Sequence, residues 1–345
     1  MKDRVAVLGA GAWGTVVARH CVENGSPTSL WARRSELARA INTRHVNVDH
    51  LPGIGLPPSL HATADLEDAV SGASTILVAI PSRAFRRPMI EVGPMIDPNA
   101  TVVSLTKGIE ADSLLRMTQV IADAGGVPAG RVAALSGPNL AGEVARGQPT
   151  ATVVACSDIA RAKKVQQLFH HRSFFCFAND DVVGVEIGGA CKNVIALAAG
   201  MSDGLGFGDN SKSALITRGL AEIARLGVVL GAQLQTFLGL AGMGDLVATC
   251  MSTLSRNHRV GCEIGKGRSL DQIEAEMNEV AEGVSSCRPI LALARRAGVK
   301  MPIAWRVEKI LFEGARPEDM LMDMMIRAPE AEFRDITAGS IRRAG

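Results

Sequence analysis

The chain of 345 residues is longer than one ordinary hydrophobic core requires, so its length predicts two domains. Apolar residues make up 47% and charged residues 21%, which is the composition of a globular protein. The sequence has no tyrosine, 3% aromatic residues and a net charge of +2, which argues against nucleic-acid binding by base stacking. The seven cysteines form no C-x-x-C pair, so we expect a reducing, cytoplasmic compartment and neither a disulfide framework nor a metal site.

Short apolar runs alternate with amphipathic stretches through the first half of the chain. The runs lie at residues 5–8, 29–31, 75–80, 100–105, 131–135 and 151–155. Nearly continuous apolar strands separated by helices are typical of a parallel sheet covered on both faces. After residue 181 the strand pattern stops and helical patterns follow. We therefore predict a doubly wound α/β domain over residues 1–181 and an all-helical domain over residues 182–345.

A glycine-rich loop follows the first apolar run. Gly9, Gly11 and Gly14 have the spacing G-x-G-x-x-G, and a helical pattern follows them. In such a loop the first glycine permits a tight turn, the second lets backbone approach phosphates, and the third lets the helix pack on the strand. The helix N-terminus adds free N–H groups and partial positive charge. This context predicts a dinucleotide site, and a purely structural glycine turn is the alternative.

Two arginines, Arg33 and Arg34, follow the second predicted strand. An NAD site usually has an acidic residue there, bonded to the ribose 2′-hydroxyl. Guanidinium groups instead favour a 2′-phosphate, through charge and bidentate geometry. We therefore expect NADP(H) to be favoured and NAD(H) to be accepted. The alternative is that both arginines are solvated and that Glu36 turns toward the ribose.

Two further loops follow predicted strands of the first half, at the sheet edge where ligands bind in doubly wound folds. The first, TKGIE, contains Lys107, which is a candidate contact for an anion. The second, SGPN, contains Gly137 in a turn and Asn139, whose amide can donate and accept hydrogen bonds. The alternatives are a solvated lysine and an asparagine that caps the following helix.

Lys192 is the only charged residue between positions 187 and 202. The segment is too short for a membrane span and is interrupted by this charge, so we expect a buried helix. Burial disfavours the charged form of a lysine and lowers its pKa, which suits proton transfer near neutral pH. The alternative is a lysine whose ammonium group extends from a buried helix to solvent.

A polar trio, Ser255, Arg256 and Asn257, follows a glycine-rich segment of the helical half. A hydroxyl, a planar guanidinium and an amide in succession suit a phosphate monoester, and a capped helix start explains the same spacing. Asp245 precedes them and is expected to accept hydrogen bonds from substrate hydroxyls. His258 lies among arginines that disfavour an imidazolium, so we expect it at the surface.

Taken together and in this order, the motifs resemble those of the bacterial-type NAD(P)-dependent glycerol-3-phosphate dehydrogenases. The matching segments between residues 7 and 283 include GAGAWGT, LPG, TKGIE, SGPN, GGACKNVIALAAG, GMGDL and AEG. The resemblance implies reversible reduction of dihydroxyacetone phosphate to sn-glycerol 3-phosphate, which supplies the glycerophospholipid backbone. It also implies an N-terminal Rossmann-type domain, an all-helical C-terminal domain of the 6-phosphogluconate-dehydrogenase type, and a homodimer.

The resemblance also assigns roles to residues. Lys192 matches the catalytic proton donor and acceptor, and the mechanism requires Lys107 to lie near it at the reactive end of the nucleotide. The matching substrate positions are Lys107, Gly137, Asn139, Lys192, Asp245, Ser255, Arg256 and Asn257. The matching cofactor positions are Gly9, Gly11, Ala12, Trp13, Gly14, Arg33, Arg34, Lys107, Ala141, Arg256, Val280 and Glu282. Asn139 stands where the family commonly has serine or threonine, and Ala281 replaces its usual valine.

Two other functions stay open from the sequence. A 3-hydroxyacid dehydrogenase of the 6-phosphogluconate type would carry its lysine near a K-x-x-N helix, whereas here Asn193 follows Lys192 directly. A dinucleotide-sensing regulatory protein would keep the glycine loop but would have no reason to combine it with Lys192 and the trio at residues 255–257.

Overall fold

The computed structural model describes residues 3–170, 173–277 and 281–326, with side chains up to residue 323. This part of the chain divides into two units. The first unit contains the residues up to 107 together with residues 115–182, and the second contains residues 108–114 together with those from 183 onward. The segment 108–114 therefore belongs with the helical part of the chain, an assignment that the sequence pattern did not supply.

A central β-sheet organises the first unit. The strands of this unit are β1 (Val5–Leu8), β2 (Thr28–Trp31), β3 (Val46–Asn47), β4 (Leu51–Gly55), β5 (His61–Thr63), β6 (Thr75–Val78), β7 (Thr101–Ser104), β8 (Val132–Ser136), β9 (Thr150–Cys156) and β10 (Phe174–Asn179). Eight of them form one sheet in the order β10-β9-β8-β7-β6-β1-β2-β5, and β3 pairs with β4 as a separate antiparallel hairpin.

The direction of the strands follows the expected parallel arrangement from β5 to β8 and departs from it at β9. Strand β9 runs antiparallel to β8, and β10 runs parallel to β9. Only one short helix of five residues, Ala141–Ala145, lies between β8 and β9. An antiparallel neighbour needs no crossover to the opposite end of the sheet, so this connection suffices. The apolar pattern of residues 151–155 predicted a strand but carried no signal for its direction.

Helices cover both faces of this sheet. They are α1 (Ala12–Glu23), α2 (Ser35–Arg44), α3 (Leu66–Val70), α4 (Arg86–Val92), α5 (Met117–Gly125), α6 (Ala141–Ala145) and α7 (Ile159–Phe169). Alternate residues of β1 enter different cores, because side chains alternate across a strand. Val5 and Val7 pack with residues of α1, α2 and α7, whereas Ala6 and Leu8 pack with residues of α3, α4 and α5. This is the doubly wound arrangement that the sequence predicted.

The second unit is helical. Its helices are α8 (Val182–Gly204), α9 (Asp209–Val229), α10 (Leu234–Leu238), α11 (Asp245–Met251), α12 (Arg256–Gly265), α13 (Leu270–Glu276), α14 (Glu282–Arg296), α15 (Pro302–Glu313) and α16 (Pro317–Ile326). A π-helical turn, Leu240–Gly244, leads directly into α11. Helix α8 is long and apolar enough to cross a membrane, but 89% of its most apolar stretch is buried inside the fold. It is therefore the core helix of this unit, as its sequence predicted.

Candidate active site

The glycine loop between β1 and α1 has a geometry that only glycine permits at two of its positions. Gly9 has φ +114°, and a Cβ there would lie 2.6 Å from the carbonyl oxygen of Ala79. A Cβ on Gly14 would lie 1.9 Å from the carbonyl oxygen of Gly9, so this glycine lets α1 pack against the loop. A Cβ on Gly11 would meet no atom within 4 Å. The space beside Gly11 and the N-terminus of α1 therefore suit the close approach of a diphosphate.

Two of the predicted cofactor contacts lie together beside this loop. Trp13 and Ala141 belong to one apolar cluster with Val16 of α1 and Leu51 of β4. The indole of Trp13 also lies 6.2 Å from the ring of Phe174, measured between ring centroids. The structure thus brings α1, α6 and the β3–β4 hairpin into contact next to Ala12, the first residue of α1.

The end of β2 presents both predicted arginines to solvent. Arg33 is exposed and, within the described ranges, has no ion-pair or hydrogen-bond partner. Arg34 donates from Nη2 to the Asp49 carboxylate, a partner that the sequence analysis did not identify. Glu36 is exposed, and its carboxylate accepts hydrogen bonds from its own backbone N–H and from the Ser35 hydroxyl, which hold its pKa below the ordinary value. Glu36 is thus engaged locally at the start of α2.

The loops after β7 and β8 meet through Lys107. Its Nζ donates to the carbonyl oxygen of Gly137 at 2.9 Å. Gly137 has φ +152°, and a Cβ there would lie 3.0 Å from Thr152, so the loop needs glycine at this position. Asn139 does not cap α6; its Nδ2 instead donates to the Thr152 hydroxyl at 2.9 Å. The predicted residues Lys107, Gly137 and Asn139 therefore form one cluster at this edge of the sheet.

In the second unit, Lys192 is buried and held by two oxygens. It is 6% exposed, and its Nζ donates to Asp245 Oδ1 and, at 2.6 Å, to the hydroxyl of Thr249. The Thr249 hydroxyl donates in turn to the carbonyl oxygen of Asp245 at 2.7 Å, which leaves its lone pair facing Lys192. The burial of Lys192 is what its apolar sequence neighbours predicted, and a contact of Asp245 with substrate hydroxyls stays a prediction. Asp245 is 1% exposed and its Oδ1 is used by Lys192.

Thr249 is a site residue that the sequence analysis missed. Asp245 and Thr249 are four residues apart on α11, and this spacing places two side chains on one face of a helix. A hydroxyl at i+4 from a candidate carboxylate was therefore the available signal.

Helix α12 packs on α8 through glycines. A Cβ on Gly200 of α8 would lie 2.1 Å from the carbonyl oxygen of His258, and a Cβ on Gly261 of α12 would lie 2.1 Å from that of Leu197. Gly204 and Gly265, each four residues further on, are packed as closely. Without side chains at these positions the two backbones approach closely, which brings the start of α12 near the middle of α8.

The polar trio occupies the start of α12. Ser255 is the N-cap, and its hydroxyl oxygen accepts from the backbone N–H of His258 at 3.3 Å. Arg256 is the exposed first residue of the helix, and Asn257 is buried. Asn257 Oδ1 accepts from the N–H of Gly283 at 2.8 Å, so its orientation is fixed with Nδ2 free to donate. Within the described residues no acceptor contacts that Nδ2. The same three residues therefore cap the start of α12 and present donors that suit a phosphate.

The segment that contains Glu282 packs against Asn193, the residue that follows Lys192. Glu282 is the half-buried first residue of α14. A Cβ on Gly283 would lie 2.6 Å from the carbonyl oxygen of Asn193, the residue after Lys192, and 2.8 Å from Asn257 Oδ1. These contacts bring three predicted site segments together within the second unit. Val280, another predicted cofactor contact, lies outside the described residues.

The expectation that His258 is a surface residue is wrong. Its side chain is 6% exposed, and Nε2 lies 2.8 Å from Asp203 Oδ2. The helical period of α12 turns His258 toward α8 while it leaves Arg256 and Arg259 exposed. Asp203 also binds Lys212 Nζ at 2.8 Å. The neighbouring arginines in sequence were therefore a poor guide, because the groups that surround the imidazole come from α8.

The first unit has a sheet whose glycine loop suits a diphosphate, and the second has a buried, hydrogen-bonded lysine. These are the two parts of a dinucleotide-dependent dehydrogenase. The sequence profile described as the N-terminus of NAD-dependent glycerol-3-phosphate dehydrogenase matches residues 4–162, and the profile of its C-terminus matches residues 181–322. The chain belongs to this NAD-dependent glycerol-3-phosphate dehydrogenase family.

Individual relatives are similar over nearly the whole chain. The NAD(P)+ glycerol-3-phosphate dehydrogenase of Frankia casuarinae is 51% identical over 96% of this chain and 98% of its own length. That of Corynebacterium aurimucosum is 52% identical over 95% of this chain and 99% of its own length. The crystal structure of glycerol-3-phosphate dehydrogenase from Coxiella burnetii is 37% identical and superposes with a TM-score of 0.90, covering 94% of this chain and 99% of that one.

Proposed function

We propose that this protein catalyses the reversible reduction of dihydroxyacetone phosphate to sn-glycerol 3-phosphate with NADPH or NADH, and so supplies the backbone of glycerophospholipids. The observation that carries the proposal is Lys192, a buried amine held by Asp245 and Thr249. Its neighbour Asn193 lies beside the Asn257 amide at the start of α12. A proton donor and an anion site close together are what reduction of a phosphorylated ketone requires.

Lys192 acts in this proposal as the general acid. When bound, the dihydronicotinamide supplies a hydride to the carbonyl carbon. Negative charge then develops on the carbonyl oxygen, and the Lys192 ammonium stabilises it and transfers a proton to it. Asp245 and Thr249 hold the amine in place through this step. In the reverse direction the neutral lysine accepts the proton of the substrate hydroxyl.

The phosphate of the substrate is proposed to bind at the start of α12. The free Nδ2 of Asn257, the hydroxyl of Ser255 and the first N–H groups of the helix are donors for a dianion there. Arg256 adds a charged and planar donor. Binding energy from this remote group orients the carbonyl carbon for reaction, because the phosphate itself does not react.

In the first unit, the glycine loop with Ala12, Trp13 and Ala141 is proposed to bind the dinucleotide. Lys107, held by Gly137, is proposed to add positive potential at the substrate oxygen, with Asn139 as a further substrate contact. The reaction requires Lys107 and Lys192 to reach one substrate, and this requirement stays a prediction. Glu282 and Val280 are proposed as further cofactor contacts.

The assembly is proposed to be a cytoplasmic homodimer. Met243, Val247 and Met251 are spaced four residues apart and are each at least 40% exposed, which gives the second unit an apolar stripe. Exposed stripes of this kind are typical of protein interfaces. Sedimentation equilibrium of the wild type and of Met251→Asp tests the dimer: a wild type that sediments as a monomer would exclude it.

One assay distinguishes the functions that the sequence left open. The purified protein is mixed with NADPH or NADH, and absorbance at 340 nm is followed after dihydroxyacetone phosphate is added. Oxidation of the nicotinamide supports the proposal. Binding without turnover would indicate a dinucleotide sensor, and NADP+ reduction with 6-phosphogluconate alone would indicate the other dehydrogenase class.

A further inference from the structure

The turn between β3 and β4 is fixed against the glycine loop by one buried side chain. Asn47 is fully buried, and its Nδ2 donates to the carbonyl oxygen of Ala10 at 2.9 Å and to the Thr15 hydroxyl at 2.8 Å. Its Oδ1 accepts from the N–H of His50 at 3.1 Å. Residues 48–50 are thus held at a defined place beside the loop that approaches the dinucleotide.

That turn presents a carboxylate to the end of β2. Asp49 Oδ2 accepts from Arg34 Nη2, and the two side chains are 39% and 55% exposed. No donor among the described residues contacts Asp49 Oδ1. Arg33, the neighbouring arginine, has no such partner in the part of the chain that the structure describes. The corner at the end of β2 therefore contains one unengaged guanidinium, one paired guanidinium and one available carboxylate oxygen.

We propose that Asp49 is a specificity-determining residue, which sets the balance between NADPH and NADH. The inference rests on the proposed binding of a dinucleotide at the glycine loop. In dinucleotide-binding folds an acidic side chain near the end of the second strand accepts the ribose 2′-hydroxyl of NAD. The sequence has arginines at that point, and the β3–β4 turn supplies the missing carboxylate from elsewhere in the chain.

The same carboxylate opposes a 2′-phosphate in two ways. It repels the phosphate charge directly, and it occupies Arg34, which would otherwise bind that phosphate. An exposed ion pair contributes little to stability, so Arg34 can exchange Asp49 for a phosphate at small cost. Asp49 therefore allows NADP(H) to bind but reduces the preference for NADP(H) over NAD(H). Asp49 Oδ1, as an acceptor for the ribose 2′-hydroxyl, favours NAD(H).

Asp49→Asn tests this role, because it removes the charge and keeps the shape of an exposed side chain. Dissociation constants of NADP+ and NAD+ are measured by quenching of tryptophan fluorescence, and kcat/KM is measured for NADPH and NADH. We expect the preference for the phosphorylated cofactor to rise by about tenfold, with tighter NADP+ binding and weaker NAD+ binding.

Glu36→Gln is the matched control. It removes an equal charge near Arg34, but the Glu36 carboxylate accepts a hydrogen bond from the Ser35 hydroxyl. The ratio of the two dissociation constants is expected to stay within about twofold of wild type. Equal changes for both cofactors in Asp49→Asn, or an equal shift in Glu36→Gln, would overturn the role of Asp49. A wild type that binds neither dinucleotide would overturn the proposed function itself, which separates the two failures.

Discussion

At the scale of single residues, a buried ammonium is stable only where oxygens surround it, and this governs what Lys192 can do. Its apolar sequence neighbours predicted burial and a depressed pKa, and the structure shows that Asp245 and Thr249 provide the hydrogen-bond acceptors that hold the buried amine. A charged lysine is the proton donor that the reduction needs. The partners lie more than fifty positions away in the chain, so no local pattern predicted them.

Removal of the Lys192 amine should abolish most of the turnover. We expect Lys192→Met to lower kcat by about a hundredfold or more, the usual contribution of general acid catalysis, while the Kd of NADPH stays nearly unchanged. The single variant leaves Asp245 buried without its counter-charge, so Lys192→Met with Asp245→Asn serves as the folding control. Turnover near the wild-type rate in either folded variant would remove Lys192 from the mechanism.

Arg256 should act on the phosphorylated substrate through binding. We expect Arg256→Ala to raise KM for dihydroxyacetone phosphate by about tenfold or more, as loss of a charge-assisted hydrogen bond does. Activity with unphosphorylated dihydroxyacetone should change little. Arg259→Ala is the matched control, since Arg259 is also exposed on α12. An equal loss with both substrates would argue against a phosphate contact.

At the scale of elements, glycines and a carboxylate determine how the helices of the second unit meet. The glycine pairs that let α8 and α12 approach were visible in the sequence as residues four apart, but their partners were not. Glu222 of α9 provides the other connection. Its carboxylate accepts from the N–H groups of Ile303 at 2.9 Å and Ala304 at 3.0 Å, at the start of α15. It replaces the cap that Met301 cannot supply.

The burial of Glu222 predicts a pH dependence of stability. Burial raises its pKa from 4.5 to about 7. Because the folded state then holds more protons than the unfolded state between these values, this contribution to the free energy of unfolding is full below pH 4.5 and is lost as pH rises through 7. The loss is on the order of 3 kcal/mol. Urea unfolding of wild type and Glu222→Gln from pH 4.5 to 8 measures it as a difference.

Glu263 is the control for Glu222, because its pKa is shifted in the opposite direction. Hydrogen bonds from Lys266 and Arg268 hold the pKa of the half-buried Glu263 carboxyl below its ordinary value. Its contribution is therefore present above the ordinary pKa and is lost only as pH falls, so Glu263→Gln should leave the curve between pH 5 and 8 parallel to wild type. A Glu222→Gln curve that is also parallel to wild type would show that Glu222 stays charged when buried.

At the scale of the whole molecule, hydrophobic periodicity predicted the doubly wound sheet and the helical unit, but it did not predict where every segment belongs. Periodicity reports that a side chain is buried and leaves open which core receives it. Ile109 shows this limit, because it follows a sheet strand in sequence and is nevertheless part of the apolar core of the second unit. Periodicity also did not predict the antiparallel direction of β9 or the Arg34–Asp49 pair, because each depends on contacts between segments that are separate in the sequence.

Ile109 allows the two cores to be tested separately. It is 2% exposed, and Ile109→Ala should destabilise the second unit by about 2–5 kcal/mol, the cost of truncating a buried isoleucine. Ile76→Ala is the matched variant, because Ile76 is fully buried in the sheet of the first unit. Native-state hydrogen exchange with mass spectrometry should show faster exchange in α8 and α14 for the first variant, and in β1 and β6 for the second. Faster exchange of the sheet strands in Ile109→Ala would instead place residues 108–114 with the first unit.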